Sequence, residues 1–195
     1  GRVTPHRVDE AVELFVEAAA HLGGARGELE DQRLGDIGDL GDADLVVVLD
    51  QVTDPHNVGA VLRSAVAFAA GALITTTRHS PAESGVLAKA ASGALEEIDL
   101  IEVRNLAEAL KQLSAAGFQT IGIDSEGPAE MEATLDGGRV ALVLGAEGKG
   151  LRQKTRDTVT TLARLDMPGA IRSLNVSNAA AISLYAARRH LDTAM

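Results

Sequence analysis

Three short segments hold the residues with chemistry to offer. The first runs from Asp50 through Asp54, Pro55, His56 and Asn57 to Arg63. Arg63 is a charged residue inside an otherwise apolar stretch, residues 58–70. A guanidinium there needs an acceptor, and the two oxygens of a phosphate match its planar fork. The plainer reading makes Asn57 a helix cap and Arg63 an exposed helix residue. The second segment is Val140–Gly150, an apolar run entering a loop with Gly145, Glu147, Gly148 and Gly150. Glycines let backbone approach a ligand closely; the plainer reading is a tight turn with a solvent-facing glutamate. Neither the phosphate-loop pattern nor the dinucleotide glycine fingerprint is met. The third segment, residues 165–178, carries Leu165, Met167, Pro168, Gly169, Ser173, Leu174, Asn175, Ser177 and Asn178. One helix cap does not need so many hydroxyls and amides, which are good ligand donors and acceptors.

These segments need elements to hold them. Periodicity predicts strands at 45–50, 73–76, 100–103, 120–123, 140–144 and 162–167. Helices are predicted at 57–70, 83–91, 106–115 and 175–191. Strands alternating with helices give an α/β fold, a parallel sheet with helices on both faces. Ligands in such sheets sit beyond the strands' carboxyl ends, where all three segments fall. Val8–Leu22 reads as an amphipathic helix and residues 23–44 as a Gly- and Asp-rich linker or arm. The organisation expected is therefore an N-terminal helix and arm, 1–44, and one α/β domain, 45–195.

Composition narrows the function. The 195 residues are 46% hydrophobic but only 2% aromatic, so small aliphatic side chains must fill the core. The chain has no cysteine, which excludes disulfides and thiolate metal sites. His6, His21, His56, His79 and His190 are scattered without a His-Glu-x-x-His pair, so no metal is expected. No apolar run is long enough for a membrane span, and a soluble cytoplasmic protein is the expectation. The net charge of -10 argues against nucleic acid, yet the charge is uneven. Residues 1–50 hold 12 acidic and 4 basic side chains, whereas 149–195 hold 3 acidic and 8 basic. Lys149, Arg152, Lys154, Arg156, Arg164 and Arg172 form a run that reads as a solvated face or as a phosphate-holding patch.

Taken in order and at this spacing, the three segments resemble the signature of the SpoU (TrmH) methyltransferases of the SPOUT superfamily, across residues 45–191. Asp54-Pro55-His56-Asn57 and Gly145-Ala146-Glu147-Gly148 are most similar to the bacterial branch that methylates a guanosine ribose in large-subunit ribosomal RNA. The resemblance implies a parallel α/β sheet whose C-terminal part threads a deep trefoil knot. It implies S-adenosyl-L-methionine as cofactor, RNA as substrate (ribosomal favoured over transfer RNA), and a homodimer. A non-catalytic RNA-binding relative of the same fold is the alternative. Carried over, Gly145, Leu165, Met167, Ser173 and Leu174 line the cofactor, and a branched side chain at Gly145 is expected to occupy its space. Arg63, Asn57, Glu147, Ser173 and Asn175 form the catalytic group, with Glu147 fixing Arg63 or the cofactor loop. Two departures stand out. Residues 1–44 are shorter than the RNA-binding domain usual in that branch, and Asp166 stands where the family often has proline, before Met167, Pro168 and Gly169.

Overall fold

The computed structural model describes residues 37–77, 85–91, 93–171 and 173–194. The helix expected at Val8–Leu22 lies outside them. Seven strands form one parallel sheet: β1 (Leu45–Asp50), β2 (Ala72–Thr76), β3 (Asp99–Val103), β4 (Gln119–Ile123), β5 (Ala129–Glu130), β6 (Val140–Gly145) and β7 (Thr161–Arg164). Their order across the sheet is β3-β2-β1-β6-β4-β7-β5. Among the described residues six α-helices accompany them: α1 (Pro55–Ala67), α2 (Gly85–Ala91), α3 (Leu106–Ala115), α4 (Met131–Thr134), α5 (Gln153–Thr158) and α6 (Val176–Ala194).

The central strands are buried on both faces, and their side chains alternate between two cores, as a period of two requires. Leu45, Val47 and Leu49 of β1 and Leu142 and Leu144 of β6 face one core. There they meet Val58, Val61 and Leu62 of α1, Leu87 of α2 and Ala180, Leu184 and Ala187 of α6. Val46, Val48, Ala141 and Val143 face the other core, with Leu106, Leu110 and Leu113 of α3. Each fully buried aliphatic side chain contributes roughly 1.5–3 kcal/mol. Small residues bring helices close: a Cβ on Gly59 of α1 would strike Ala90 of α2.

Within the described residues the expected strands and helices are present, with revised ends and some additions. β7 ends at Arg164, so 165–167 leave the sheet instead of continuing it. Part of the expected linker belongs to the fold. Residues Ile37–Leu40 form a 3-10 turn, and Ile37 and Leu40 are buried in the second core. Short α4, α5 and β5 lacked enough residues to show a period. Strand order does not describe threading, so the knot stays with the family likeness.

Register decides where chemistry collects. Asp50 at the end of β1 lies beside Gly145 at the end of β6, and Ile123 of β4 lies beside Leu144 and Ala163. Four parallel strands thus release their loops side by side. The chain runs outward from β1 to β2 and β3, and the later strands fill the opposite side. A crevice at such a switch point is the usual ligand position in open α/β sheets.

At the opposite end, Arg188 of α6 grips Asp44 with two hydrogen bonds of 2.9 Å and donates to the carbonyls of Phe68 and Ala69. The Arg188 hydrogen bond holds the Asp44 carboxyl below its ordinary range, outweighing the opposing effect of burial. A depressed carboxylate stabilises the fold above its unfolded pKa of about 4 and loses that contribution as pH falls through the folded value. Asp44→Asn should cost about 1 kcal/mol at pH 7, discounted for partial exposure. The cost should shrink as pH falls below about 4 and on through the lowered folded value. Urea unfolding across pH checks this, and an equal cost at both ends would contradict it.

Candidate active site

The β1–α1 turn is built by Asp54 and Pro55. Asp54 is the helix cap: its carboxylate accepts the His56 N–H at 2.9 Å, and Pro55 occupies the first helical position. Asn57, expected as a cap, instead sits in the first turn with its side chain available for tertiary contacts. Gln51, at the exit of β1, holds the left-handed region at φ 62. Non-glycine residues seldom adopt that conformation without surrounding support.

Asn175 divides its amide between two tasks. Its oxygen accepts from Ser177 N at 2.9 Å and Ser177 Oγ at 2.6 Å, capping α6. A backbone N–H can only donate, so the oxygen must face it and the NH2 must face away. That nitrogen donates to Asn57 Oδ1 and to Glu147 Oε2, both at 3.1 Å. Residues from three segments far apart in sequence therefore meet at one amide.

Two cavities open on either side of this contact. The larger, about 510 Å³, is walled by 144–150, by Leu165, Met167, Ser173, Leu174 and Asn175, and by Ile123–Glu126 with Arg156. All five residues expected around the cofactor line it. The smaller, about 390 Å³, lies between 51–54 with Asn57 and the loop residues Ala146, Glu147 and Lys149. Glu147 borders both. Among the described residues, no group of three His, Asp or Glu side chains is placed to hold a metal. None of their helices is long and apolar enough to cross a membrane.

Gly145 has its place for a different reason than expected. A Cβ there would strike the backbone of Gly150 and Leu151, because the loop doubles back through an Ala146–Gly150 bridge. A branched residue would force the loop open before it filled the cavity. Gly148 and Gly150 adopt positive φ, which a tight reversal requires.

Arg63 is not brought to the group. It is exposed on α1, lines neither cavity, and has no side-chain partner among the described residues. Glu147 bonds Asn175, and no contact joins it to Arg63. The basic run also resolves into internal roles. Fully buried Asp50 accepts from Arg152 N and Nε, at 2.9 and 2.5 Å. Asp124 accepts from Arg156 at 2.6 Å, and Arg164 donates to the carbonyls of Gly127 and Pro128. Arg172 lies outside the described residues. These arginines brace the loops, which leaves Lys149 and Lys154 as the solvated charges of that stretch.

Sequence reasoning missed the fourth wall, Asp124–Glu126. The signal was present: Asp-Ser-Glu-Gly follows directly on strand β4, the same strand-to-polar-loop transition that marked the other three segments.

Residues 44–185 match the SpoU rRNA Methylase family. The 23S rRNA (guanosine-2'-O-)-methyltransferase RlmB of Ralstonia nicotianae is 44% identical over 145 residues, 74% of this chain and 58% of that protein. The protein of the same name from Xylella fastidiosa is 42% identical over 161 residues, 82% of this chain and 65% of that protein. The chain thus spans about three fifths of the length of such relatives. Among solved structures, an AdoMet-bound rRNA methyltransferase from Sinorhizobium meliloti aligns with a TM-score of 0.69 and 30% identity, over 76% of this chain and 57% of that one.

Asn175→Asp tests the divided amide. The new carboxylate can still cap α6, but it faces Glu147 where an NH2 stood. Like charges raise a carboxylate pKa in the folded state, so the penalty appears above about pH 4 and fades as pH falls. At pH 8 the exposed pair should cost about 1 kcal/mol, or about 2–4 °C in melting temperature, with recovery towards pH 4. Thermal scans at both pH values check this, and a pH-independent shift would contradict it.

Proposed function

The chain belongs to the SpoU rRNA methylase family, and from that premise we propose that it transfers a methyl group from S-adenosylmethionine to a ribose 2′-hydroxyl of RNA, in a guanosine of large-subunit ribosomal RNA. The observation that carries this reading is the Asn57–Asn175–Glu147 contact at the wall shared by two cavities. One cavity takes the cofactor and the other the acceptor nucleotide.

The residues present fit that cofactor. The larger cavity lies within the roughly 300–1,000 Å³ of small-molecule sites. Its lining pairs carboxylates (Asp124, Glu126, Glu147) with the Arg156 guanidinium, as a ligand bearing a sulfonium, an amine and a carboxylate requires. Glycine backbone at 145–150 and the loop 165–174 admit close approach. The cofactor supplies a methyl already activated by positive charge on sulfur.

The protein's own task is to aim the hydroxyl and relieve it of its proton. Asn57, Asn175 and Ser173 orient the ribose oxygen from the shared wall. Glu147 holds Asn175 with one carboxylate oxygen, and the other accepts a hydrogen bond from the hydroxyl and takes its proton as the methyl passes from the cofactor's sulfur to the ribose oxygen. Arg63 grips an RNA phosphate from outside the cavities. A guanidinium with pKa above about 12 is a poor base but a good phosphate fork. The trefoil threading implied by the family shapes the 165–175 loop. The active species is a homodimer: Ile182 and Tyr185 of α6, 46% and 56% exposed, lie three residues apart on one side of the helix and offer an apolar surface.

The test is transfer of labelled methyl to undermodified ribosomal and transfer RNA, followed by nucleoside analysis. The expected product is 2′-O-methylguanosine in ribosomal RNA; a base-methylated product would overturn the reading. Arg63→Ala should lower kcat/KM roughly 10- to 100-fold, the worth of one charged hydrogen bond. Calorimetric affinity for the cofactor should be unchanged. Arg63→Lys should rescue poorly, because an ammonium lacks the fork. A loss of cofactor binding in Arg63→Ala would contradict the phosphate role. Sedimentation at micromolar concentration should give twice the 20.2 kDa of one chain.

A further inference from the structure

The smaller cavity has a chemical character of its own. Its β1–α1 wall carries Asp54, whose carboxylate is held in a fixed attitude by the His56 N–H at 2.9 Å and Asn57 Nδ2 at 3.4 Å. Each carboxylate oxygen has about two acceptor sites, so each retains room for another donor. The facing loop carries Lys149, an exposed side chain with no partner among the described residues. Buried Val52 adds an apolar surface. The cavity thus holds a two-oxygen acceptor on one wall and a cationic donor on the other.

Once the acceptor hydroxyl lies at Asn57, Glu147 and Asn175, the base on the same ribose has this cavity beside it. RNA bases read by proteins are commonly splayed from their stack and recognised along their pairing edges. Guanine presents two neighbouring donors on that edge, N1–H and the 2-amino group, followed by the acceptor O6. We propose that this cavity, about 390 Å³, is a guanine subsite, in which Asp54 accepts from N1–H and the 2-amino group and Lys149 donates to O6. Adenine turns an acceptor nitrogen towards the carboxylate and a donor towards the ammonium, so both contacts become repulsive. The inference rests on the methyltransferase reading above and adds the residues that choose the base.

The experiment is single-turnover methyl transfer by the full chain to RNA carrying guanosine, inosine or adenosine at the acceptor position. Inosine keeps N1–H and O6 and lacks only the 2-amino group. The wild type should prefer guanosine over inosine by about tenfold, the worth of one hydrogen bond to a charged acceptor. It should use adenosine less than inosine. Asp54→Asn should keep the helix cap, since asparagine caps as well as aspartate, and should bring guanosine and inosine within twofold. Lys149→Gln should slow guanosine and inosine alike and leave their ratio unchanged. A wild type that treats guanosine and inosine equally overturns the subsite, as does an active Asp54→Asn with the wild-type ratio. Absence of transfer to guanosine in the wild type counts against the methyltransferase reading itself.

Discussion

The site depends on one amide that cannot turn round. Asn175 must present its oxygen to Ser177 N, because a helix start leaves backbone donors that need acceptors. Its nitrogen is thereby committed to Asn57 and Glu147. The order of α6, a long helix with a buried apolar face, is thus coupled to the attitude of two loops. Flipping the amide would leave the cap unmade and set an oxygen against a carboxylate. The coupling lets one neutral side chain define the wall between two cavities.

Around that contact the parallel sheet supplies rigidity. Strands β1, β6, β4 and β7 end in register, and their loops share one edge. Each loop is then tied down by charge. Asp50 receives Arg152, Asp124 receives Arg156, and Arg164 closes on the carbonyls of Gly127 and Pro128. Breaking one buried partner leaves the other uncompensated, which makes such pairs poor places for substitution. The acidity of the chain and its basic C-terminal run are therefore partly one phenomenon: several of these charges neutralise one another inside the fold. Of the described cations, Arg63, Arg104, Lys149, Lys154 and Arg189 stay exposed without an ion pair.

The sequence made the sheet legible because its central strands are apolar on both faces and its helices are regular. Residues 45–50 and 140–144 declared themselves as unbroken apolar runs. The three loops were legible through glycine, proline and small polar residues following strands. Helix α5 and strand β5 were not, because such short elements show no period. The cap of α1 was misassigned to Asn57, although Asp54 before Pro55 is the stronger local signal and frees Asn57 for its contact. Arg63 was grouped with Asn57 through the family resemblance; six residues further along α1, it faces another side of the helix. The roles of Arg152 and Arg156 were invisible because their partners, Asp50 and Asp124, are distant in sequence. The fourth wall at Asp124–Glu126 was readable and overlooked.

The central claim is a division of labour: the cofactor occupies the cavity between 144–150 and 165–175, and the 51–57 wall is left for the acceptor. Amide hydrogen exchange with and without S-adenosylmethionine, in the absence of RNA, tests it most directly. The account predicts slowed exchange at 145–150, 165–175 and 123–126, with 51–54 unchanged. Slowed exchange centred on 51–54, or no change at 145–150 at saturating cofactor, would contradict it.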